Sequence, residues 1–311
     1  MKQIKKVVVT GGAGFIGSHL VERLFEQGYL VTIIDDLSTG KIENVKKLLD
    51  DGNAVLDESS ITDLPLLNKL FKDVDYVFHL AAYPSVPRSI ENPLECHRVN
   101  VTGTLNVLEA ARENGVGKVV CASSSSVYGD TPVLPKKEDM LPSPLSPYAV
   151  AKLAGEYYCQ VFYKVYKLPT VSLRYFNVYG PRQDPNSHYS TVIPKSIKLV
   201  NENRPPIIYG DGEQTRDFTF VNDIVEATLL AAENDAQGVY NIGGGRSTTI
   251  NKLTKVIIEL ARSDVKPIYL EPRLGDVSYS LADISRAATF GYQPKYSLET
   301  GLEETMLWII K

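Results

Sequence analysis

The chain has 311 residues, with 33 Lys or Arg against 37 Asp or Glu and a formal net charge of −4. This balance excludes the strongly basic surface that nucleic acids and anionic membranes select, so we expect neither partner. The 43% of hydrophobic residues is typical of a globular protein with a full core. The three cysteines Cys96, Cys121 and Cys159 lack zinc or redox spacing, and the four histidines never pair at ligand spacing. We therefore expect reduced thiols, a cytoplasmic location and no metal site.

Short β-branched runs alternate with longer amphipathic stretches through the first half of the chain. The runs predict strands at 5–10, 29–35, 54–57, 75–81, 118–124 and 168–175. The stretches predict helices at 17–28, 64–71, 101–115 and 147–166. The first run ends in glycines after three valines, which indicates a buried strand and neither a signal peptide nor a membrane span. Such alternation is typical of an α/β Rossmann-type fold, a doubly wound parallel sheet covered on both faces.

The alternation of strand and helix patterns ends after about Asn177, where Pro- and Gly-rich segments separate shorter elements. A further strand near 238–243 is expected to return to the sheet. We predict a dinucleotide-binding domain over 1–177, joined by 210–246. The segments 178–209 and 247–311 are predicted to form a smaller C-terminal α/β cap that binds substrate.

A glycine turn follows the first strand in VVVTGGAGFIG. Gly11 permits the tight turn, Gly14 lets the backbone approach a pyrophosphate, and Gly17 lets helix and strand pack closely. The second strand ends about 20 residues later in Asp35-Asp36, where a carboxylate can accept hydrogen bonds from the adenosine ribose. Because a carboxylate there repels a 2′-phosphate, the pattern favours NAD over NADP.

A second candidate site combines a serine-rich strand end, CASSSSVYGD (121–130), with SPYAVAK. Tyr148 and Lys152 are four residues apart and share one face of a helix. Lys152 and an oxidised nicotinamide are expected to lower the pKa of the Tyr148 phenol, which would then act as a base. A serine hydroxyl can orient the substrate alcohol.

Seven motifs together resemble the extended short-chain dehydrogenase/reductase superfamily, specifically its nucleotide-sugar 4-epimerases. They are TGGAGFIG (10–17), HLAA (79–82), SSSSVYG (123–129), YAVAK (148–152), RYFNVYGPRQ (174–183), GDGEQTRDFTFVNDI (210–224) and GDVSYSLADISRA (275–287). The resemblance implies that Tyr148 is the base, Lys152 its partner and Ser124 the contact for the substrate hydroxyl.

The same resemblance implies the rest of the binding site. Besides the glycines, acids, Tyr148 and Lys152 already named, it assigns to NAD the residues Phe15, Ile16, Ser38, Thr39, Gly40, Ser60, Ile61, Leu80, Ala81, Ala82, Asn100 and Tyr175. Besides Ser124 and Tyr148, it assigns to a UDP-sugar the residues Pro84, Ser85, Val86, Arg88, Ser125, Ser126, Asn177, Val192, Ile193, Tyr209, Arg216, Arg273, Asp276 and Ser280. Ser60 stands where relatives often carry an Asp that binds the adenine amino group, so the expected affinity for NAD is lower.

The implied reaction is reversible C4 epimerisation of a UDP-hexose, either the glucose/galactose or the N-acetylglucosamine/N-acetylgalactosamine pair. Related dehydratases carry an Asp-Glu pair at Ser125 and Ser126, and decarboxylases carry a Glu in this stretch, so these two reactions are less favoured alternatives. Ser280 replaces a large tyrosine and leaves room for a 2-acetamido group. A UDP-glucuronate 4-epimerase, in which Arg88 or Arg182 meets the carboxylate, also stays open.

Two further expectations concern the whole protein. A catalytically silent dinucleotide sensor would usually lack the tyrosine or the lysine, and this chain keeps both. The resemblance also implies a homodimer, formed by the helices at 101–115 and 147–166 as a four-helix bundle.

Overall fold

The computed structural model describes residues 4–186, 191–272 and 277–310. Its strands, in chain order, are β1 (Lys6–Thr10), β2 (Leu30–Ile34), β3 (Ala54–Asp57), β4 (Tyr76–His79), β5 (Lys118–Ser124), β6 (Thr170–Tyr175), β7 (Val178–Tyr179), β8 (Ile207–Tyr209), β9 (Thr215–Arg216), β10 (Thr219–Phe220), β11 (Gly238–Ile242), β12 (Thr248–Thr249) and β13 (Ile268–Leu270).

The helices cover both faces of the main sheet and build most of the C-terminal part. They are α1 (Phe15–Glu26), α2 (Lys46–Asp50), α3 (Leu64–Leu70), α4 (Val86–Glu91), α5 (Pro93–His97), α6 (Thr104–Glu113), α7 (Pro147–Tyr166), α8 (Val192–Asn201), α9 (Val221–Glu233), α10 (Ile250–Leu260), α11 (Ser285–Ala288) and α12 (Leu298–Ile310). Within the described ranges, no helix is both long and apolar enough to cross a membrane.

Seven strands form one parallel sheet in the order β3-β2-β1-β4-β5-β6-β11. The strand order reverses between β1 and β4, and ligands of such sheets bind beside the carboxyl ends of the strands at that reversal. The predicted doubly wound α/β fold is confirmed. The strands at 54–57 and 118–124 have the predicted bounds. The ends of the other five strands of this sheet lie within two residues of their predicted ends.

The two faces of the sheet bury alternate side chains, as the strand period of two requires. On β1, Val7 and Val9 belong to the hydrophobic cluster that contains residues of α1 and α9. Val8 belongs to the opposite cluster, with residues of α3, α6 and α7. This burial on both faces explains why the strand is a continuous apolar run.

The helix predicted at 101–115 is longer and less regular than expected. It starts with α5 at Pro93 and passes through a π-helical segment, Arg98–Gly103, before continuing as α6. Asn92 caps its first turn by accepting a hydrogen bond from the Glu95 amide at 3.1 Å. Asn100 lies within this π segment and is buried.

A third hydrophobic cluster lies in the C-terminal part, where α8, α10 and α12 contribute Ile193, Ile257 and Leu302. Residues 285–292, which the sequence assigned to the cap, contribute to a different hydrophobic cluster. Ala287, Phe290 and Tyr292 pack in the same cluster as the main sheet. The return of β11 to the edge of the sheet, beside β6, offers them this apolar surface.

Candidate active site

The glycine turn joins β1 to α1 in a shape that only glycine permits at two positions. Gly11 has φ +73°, and a Cβ there would lie 2.6 Å from the Ala81 nitrogen. At Gly17 a Cβ would lie 2.0 Å from the Gly11 oxygen. Gly14 is the N-cap of α1, and no side chain in the described part of the chain caps this helix. The turn therefore leaves the first amides of α1 available to an anion such as a pyrophosphate.

Asp35 and Asp36 lie at the carboxyl end of β2, beside this turn. The Asp35 carboxylate is buried and accepts hydrogen bonds from the amides of Ala13 at 2.9 Å and Leu37 at 3.0 Å. Burial raises the pKa of Asp35, although these hydrogen bonds oppose the shift. A Cβ on Gly40 would lie 2.6 Å from the same carboxylate, so this loop folds tightly over the acid. Asp36 accepts from the Ser38 amide at 3.0 Å.

The other residues assigned to the cofactor surround this edge. Ser60 lies after β3, and its hydroxyl is 3.0 Å from that of Thr62, while Ile61 is buried. The Ala81 amide donates to the Thr10 hydroxyl at 3.2 Å. Tyr175 is buried in the core cluster of the sheet with its hydroxyl 2.7 Å from that of Thr228. Loops after β1, β2, β3, β4, β5 and β6 thus bring the predicted residues to one edge of the sheet.

Asn100 holds the loop after β4 in place. Its side chain accepts from the Tyr83 amide at 2.6 Å and donates to the Tyr83 carbonyl at 3.0 Å. Asn100 lies in the π segment, so these two bonds join that segment to the loop after β4. The loop runs on to Pro84, Ser85 and Val86, three of the residues assigned to the sugar.

Tyr148 and Lys152 lie on α7, whose start is specified locally. The Ser146 side chain accepts from the Ala149 amide at 3.2 Å, and Pro147 occupies the first turn. The Tyr148 hydroxyl shares a hydrogen bond with Ser124. Lys152 donates to the Ala122 carbonyl at 2.8 Å, and its nitrogen lies 5.8 Å from the centre of the Tyr148 ring. The three residues predicted to be catalytic are therefore brought together.

The electrostatics differ from the sequence-based expectation. Burial raises the pKa of Tyr148 to about 12, and the hydrogen bond with Ser124 opposes that shift only in part. Burial also lowers the pKa of Lys152 to about 8. In the protein without a cofactor, the desolvation of a buried phenolate is the largest cause of the Tyr148 shift. That Lys152 together with the positive charge of an oxidised nicotinamide lowers the pKa of Tyr148 stays a prediction.

The serine hydroxyls assigned to the substrate differ in their hydrogen-bond partners. The Ser124 hydroxyl accepts from the Ser126 amide at 3.2 Å, which starts the short turn Ser125–Tyr128. The hydroxyls of Ser126 and Ser85 are buried and have no hydrogen-bond partner among the described residues. Buried polar groups are rarely left unpaired, so these two are suited to a polar ligand.

A cavity of about 580 Å³ lies in the C-terminal part and is lined by residues of β7, β8, β9 and α8. Five of its lining residues were predicted from the sequence: Asn177, Val192, Ile193, Tyr209 and Arg216. Sequence reasoning missed Lys195, Gln214 and Phe218, which also line it. Gln214 adjoins the TRDF motif, and this position could have suggested it. Ser124, Tyr148 and Lys152 are not among the described residues that line this cavity.

A backbone hydrogen bond holds the segment that contains Ser280 against β9. Its amide donates to the Thr215 carbonyl at 3.1 Å, and the Arg216 guanidinium donates to the same carbonyl at 2.9 Å. Sequence reasoning missed Asp217, whose buried carboxylate accepts from the Ala282 amide at 2.9 Å and the Gly244 amide at 2.7 Å.

Three of the predicted contacts need separate mention. Arg88 packs its guanidinium over the Tyr83 ring, 4.3 Å from the ring centre. The predicted contacts Arg273 and Asp276 lie outside the described residues. Among the residues that are described, no cluster of three or more His, Cys, Asp or Glu side chains could hold a metal ion.

A glycine turn at a helix start, an acid after β2 and a Ser-Tyr-Lys trio at the same edge define a dinucleotide-dependent enzyme of the short-chain dehydrogenase type. Residues 7–243 match the model of the NAD dependent epimerase/dehydratase family. The chain belongs to this family.

Similar proteins extend the match over nearly the whole chain. The structure of UDP-N-acetylglucosamine 4-epimerase from Methanobrevibacter ruminantium, in complex with UDP-N-acetylmuramic acid, is 46% identical, with a TM-score of 0.96 and 99% of each chain covered. A putative UDP-glucose 4-epimerase of Methanocaldococcus jannaschii is 41% identical over 97% of this chain and 98% of its own length. The structure of UDP-glucuronic acid 4-epimerase from Bacillus cereus, with UDP-glucuronic acid and NAD, is 37% identical, with a TM-score of 0.91 and coverage of 98% and 99%.

Proposed function

We propose that this protein is an NAD-dependent UDP-sugar 4-epimerase, which inverts C4 of a UDP-hexose reversibly. The observation that carries the proposal is the meeting of Ser124, Tyr148 and Lys152 at the sheet edge that also holds the glycine turn. The family membership and the whole-length likeness to 4-epimerases support it.

The residues of this chain would bind and orient both molecules. The amides at the start of α1 would hold the pyrophosphate of NAD, and Asp35 or Asp36 the adenosine ribose. A bound NAD would supply the hydride acceptor and donor for C4 of the sugar. Tyr148 would take the proton of the 4-hydroxyl, Ser124 would orient that hydroxyl, and Lys152 would support the phenolate.

The nucleotide half of the substrate would occupy the 580 Å³ cavity. Asn177 and Arg216 would contact the diphosphate, since a planar guanidinium suits phosphate oxygens. Arg273 and Asp276 are proposed from the family resemblance alone. Anchoring the nucleotide leaves the sugar free to turn and present either face to the cofactor, as an epimerase requires.

Among the possible sugars, the 2-acetamido pair has the most support. Ser280 is a small side chain at 8% exposure in a segment tied to β9, and it takes up less volume than the tyrosine that the resemblance associates with plain hexoses. Arg182, a candidate for a uronate carboxylate, donates instead to Glu22 on α1 at 2.7 Å. UDP-glucuronate therefore remains a second candidate, favoured only by the likeness to the Bacillus cereus enzyme.

Dehydration and decarboxylation are less favoured. Ser125 and Ser126 form the short turn after Ser124, and a serine cannot shuttle a proton as a carboxylate does. Within the described residues, the nearest acid to that turn along the chain is Asp130, which accepts from the Ser278 amide at 2.8 Å.

We also propose that the chain forms a homodimer through α7 and the α5–α6 helix. Along α7, Val150, Tyr157, Val161 and Val165 are 47% to 62% exposed and lie on one face. Such a stripe is unusual for a monomer surface and suits a helix bundle with a second copy. A cytoplasmic location is proposed from the three buried, unbridged cysteines. The division into an NAD-binding part and a UDP-sugar cap remains a proposal.

The direct test mixes purified protein with UDP-glucose, UDP-N-acetylglucosamine or UDP-glucuronate and follows C4 inversion by proton NMR, with and without added NAD. We expect turnover of the acetamido sugar. Turnover of UDP-glucuronate alone would favour the second candidate. No turnover of any of the three with NAD present would overturn the proposal.

A further inference from the structure

Three consecutive residues at the end of β5 each contact a different residue of α7. Ser124 shares a hydrogen bond with Tyr148, and the Ala122 carbonyl accepts from Lys152. Between them, the Ser123 hydroxyl donates to Glu156 Oε1 at 2.5 Å. Tyr148, Lys152 and Glu156 are spaced four residues apart, which places them on one face of the helix. The catalytic helix is therefore joined to the catalytic strand at three points, and the third has no assigned role.

Glu156 has a second partner on the neighbouring strand. Arg174 on β6 donates to Glu156 Oε1 through Nε at 2.8 Å and to Oε2 through Nη2 at 2.7 Å. The two side chains are 1% and 3% exposed. A buried ion pair seldom adds net stability over a hydrophobic pair of similar volume. Its presence one helical turn beyond Lys152 therefore calls for a reason other than stability.

The charge state of Lys152 supplies that reason. The titratable and charged groups that face it come from five elements: Tyr148 and Glu156 on α7, Cys121 on β5, Cys96 on α5, His79 on β4 and, behind Glu156, Arg174 on β6. Burial lowers the pKa of Lys152, whereas Cys121, Cys96 and Glu156 raise it.

Of these neighbours, Glu156 is the one that forms an ion pair, with Arg174 at 2.7 Å. A hydrogen bond with Cys159, together with burial, raises the pKa of the Cys121 thiol, and burial raises that of Cys96. Both thiols are therefore protonated. His79 is neutral because burial lowers its pKa to about 3.

We propose that Glu156, together with Arg174 and Ser123, is a positioning residue of the active site, which keeps Lys152 charged and holds α7 in register with β5. This inference rests on the proposed function, because its main measurement is epimerase turnover. It assigns no contact between Glu156 and the substrate or cofactor.

The test compares pH profiles of kcat for Glu156→Gln and Arg174→Met, which change the local charge in opposite senses. The alkaline limb reports the loss of the Lys152 proton. With Glu156→Gln the pKa of Lys152 falls, and we expect the limb to move to lower pH by about half a unit or more. With Arg174→Met the unpaired carboxylate raises that pKa, and the limb moves to higher pH. KM should change less than about twofold, because neither residue touches substrate.

A merely structural role predicts something else. Both variants would then lower kcat and the melting temperature at every pH and leave the limb in place, which overturns the electrostatic part of the proposal. Glu109→Gln, which removes a surface partner of Arg112 on α6, is the matched control and should move nothing. If one variant fails to fold, the direction in which the alkaline limb moves in the other variant tests the electrostatic role.

The double variant Glu156→Leu/Arg174→Met buries no unpaired charge and covers the case in which neither single variant folds. Because the double variant also lacks the Glu156 carboxylate, we expect the limb to move to lower pH, by less than in Glu156→Gln. We expect a kcat several-fold lower, since Ser123 loses its acceptor. A wild-type kcat in this variant would overturn the positioning role. Absence of turnover in the wild type would refute the proposed function. That outcome is distinct from a failure of the electrostatic role or of the positioning role, which only the variants report.

Discussion

The Lys152 ammonium lies 5.8 Å from the centre of the Tyr148 ring while it donates to the Ala122 carbonyl at 2.8 Å. The lysine is thus held by the strand that carries Ser124, and its distance from the phenol is set by the packing of α7 on β5. Three residues from two elements therefore act as one unit, and removing any of them should affect the others.

Tyr148→Phe should abolish most of the turnover without unfolding the protein. Proton transfer by a positioned side chain typically contributes about 10²–10⁴-fold, so kcat should fall in that range. The lost hydrogen bond with Ser124 should lower the free energy of unfolding by only about 1 kcal/mol. Proton NMR of the sugar and thermal melting measure both quantities. Tyr157→Phe, on the exposed side of the same helix, is the control and should retain activity; full activity in Tyr148→Phe would contradict the mechanism.

Ser280→Tyr should separate the two classes of hexose. A tyrosine in this nearly buried position would fill the space proposed for the 2-acetamido group, so kcat/KM for UDP-N-acetylglucosamine should fall by about 10-fold or more. Activity on UDP-glucose should change much less. Ser280→Ala keeps the space and should preserve both activities. Equal losses with both sugars would mean that the residue does not select the substituent.

Gly17→Ala should impair cofactor binding. The new Cβ would lie 2.0 Å from the Gly11 oxygen, so the turn must shift away from the shape that leaves the α1 amides free. The NAD content of the purified protein and its Kd for NAD measure the effect. Gly155→Ala on α7 is the comparison, because its Cβ would meet only Thr104 Cγ2 at 3.5 Å. That variant should bind NAD normally and gain stability from a better helix former.

His79 should make the fold sensitive to acid. It lies between the Thr10 and Thr104 hydroxyls, at 2.8 and 2.9 Å, and burial lowers its pKa from 6.5 to about 3. Because the unfolded chain takes up this proton first, the contribution of His79 to stability is complete above about pH 6.5 and is lost as the pH falls towards 3. The loss is about 1.4 kcal/mol per pH unit in this window.

Denaturant unfolding at several pH values checks this expectation. His79→Gln has no group that titrates here, so its stability should decline less steeply than that of the wild type below pH 6.5. Parallel pH dependences for the two proteins would show that the histidine is already protonated in the fold.

Val161→Asp should separate the proposed dimer. A carboxylate in the exposed stripe of α7 would be buried without a partner if a second copy covers it. Size-exclusion chromatography with light scattering should then give a dimer for the wild type and a monomer for the variant. Val133→Asp changes a valine of similar exposure in a loop and should leave the dimer intact. A monomeric wild type would end the proposal.

The sequence predicted the main sheet well because its strands are buried on both faces. Such strands are continuous apolar runs between glycines and helices, and the runs in KVVVT and KVVCASS needed no tertiary information. The start of α7 was equally local, since a capping serine and a proline mark it. The start of the helix around Asn100 was missed, because a π segment depends on tertiary contacts and has no local signal of comparable strength.

The sequence by itself determined the order of the main-sheet elements, the glycine turn and the helical spacing of Tyr148 and Lys152, because these depend on short motifs and on side-chain periodicity. The catalytic roles of Ser124, Tyr148 and Lys152 came from the family resemblance and stay predictions. Only the tertiary structure decided the pKa values of Tyr148 and Lys152, the pairing of Glu156 with Arg174 and the anchoring of the Ser280 segment by Thr215 and Asp217. These features share one physical cause. Desolvation and charge pairing depend on which distant parts of the chain exclude water from a group, and that is a property of the packed fold.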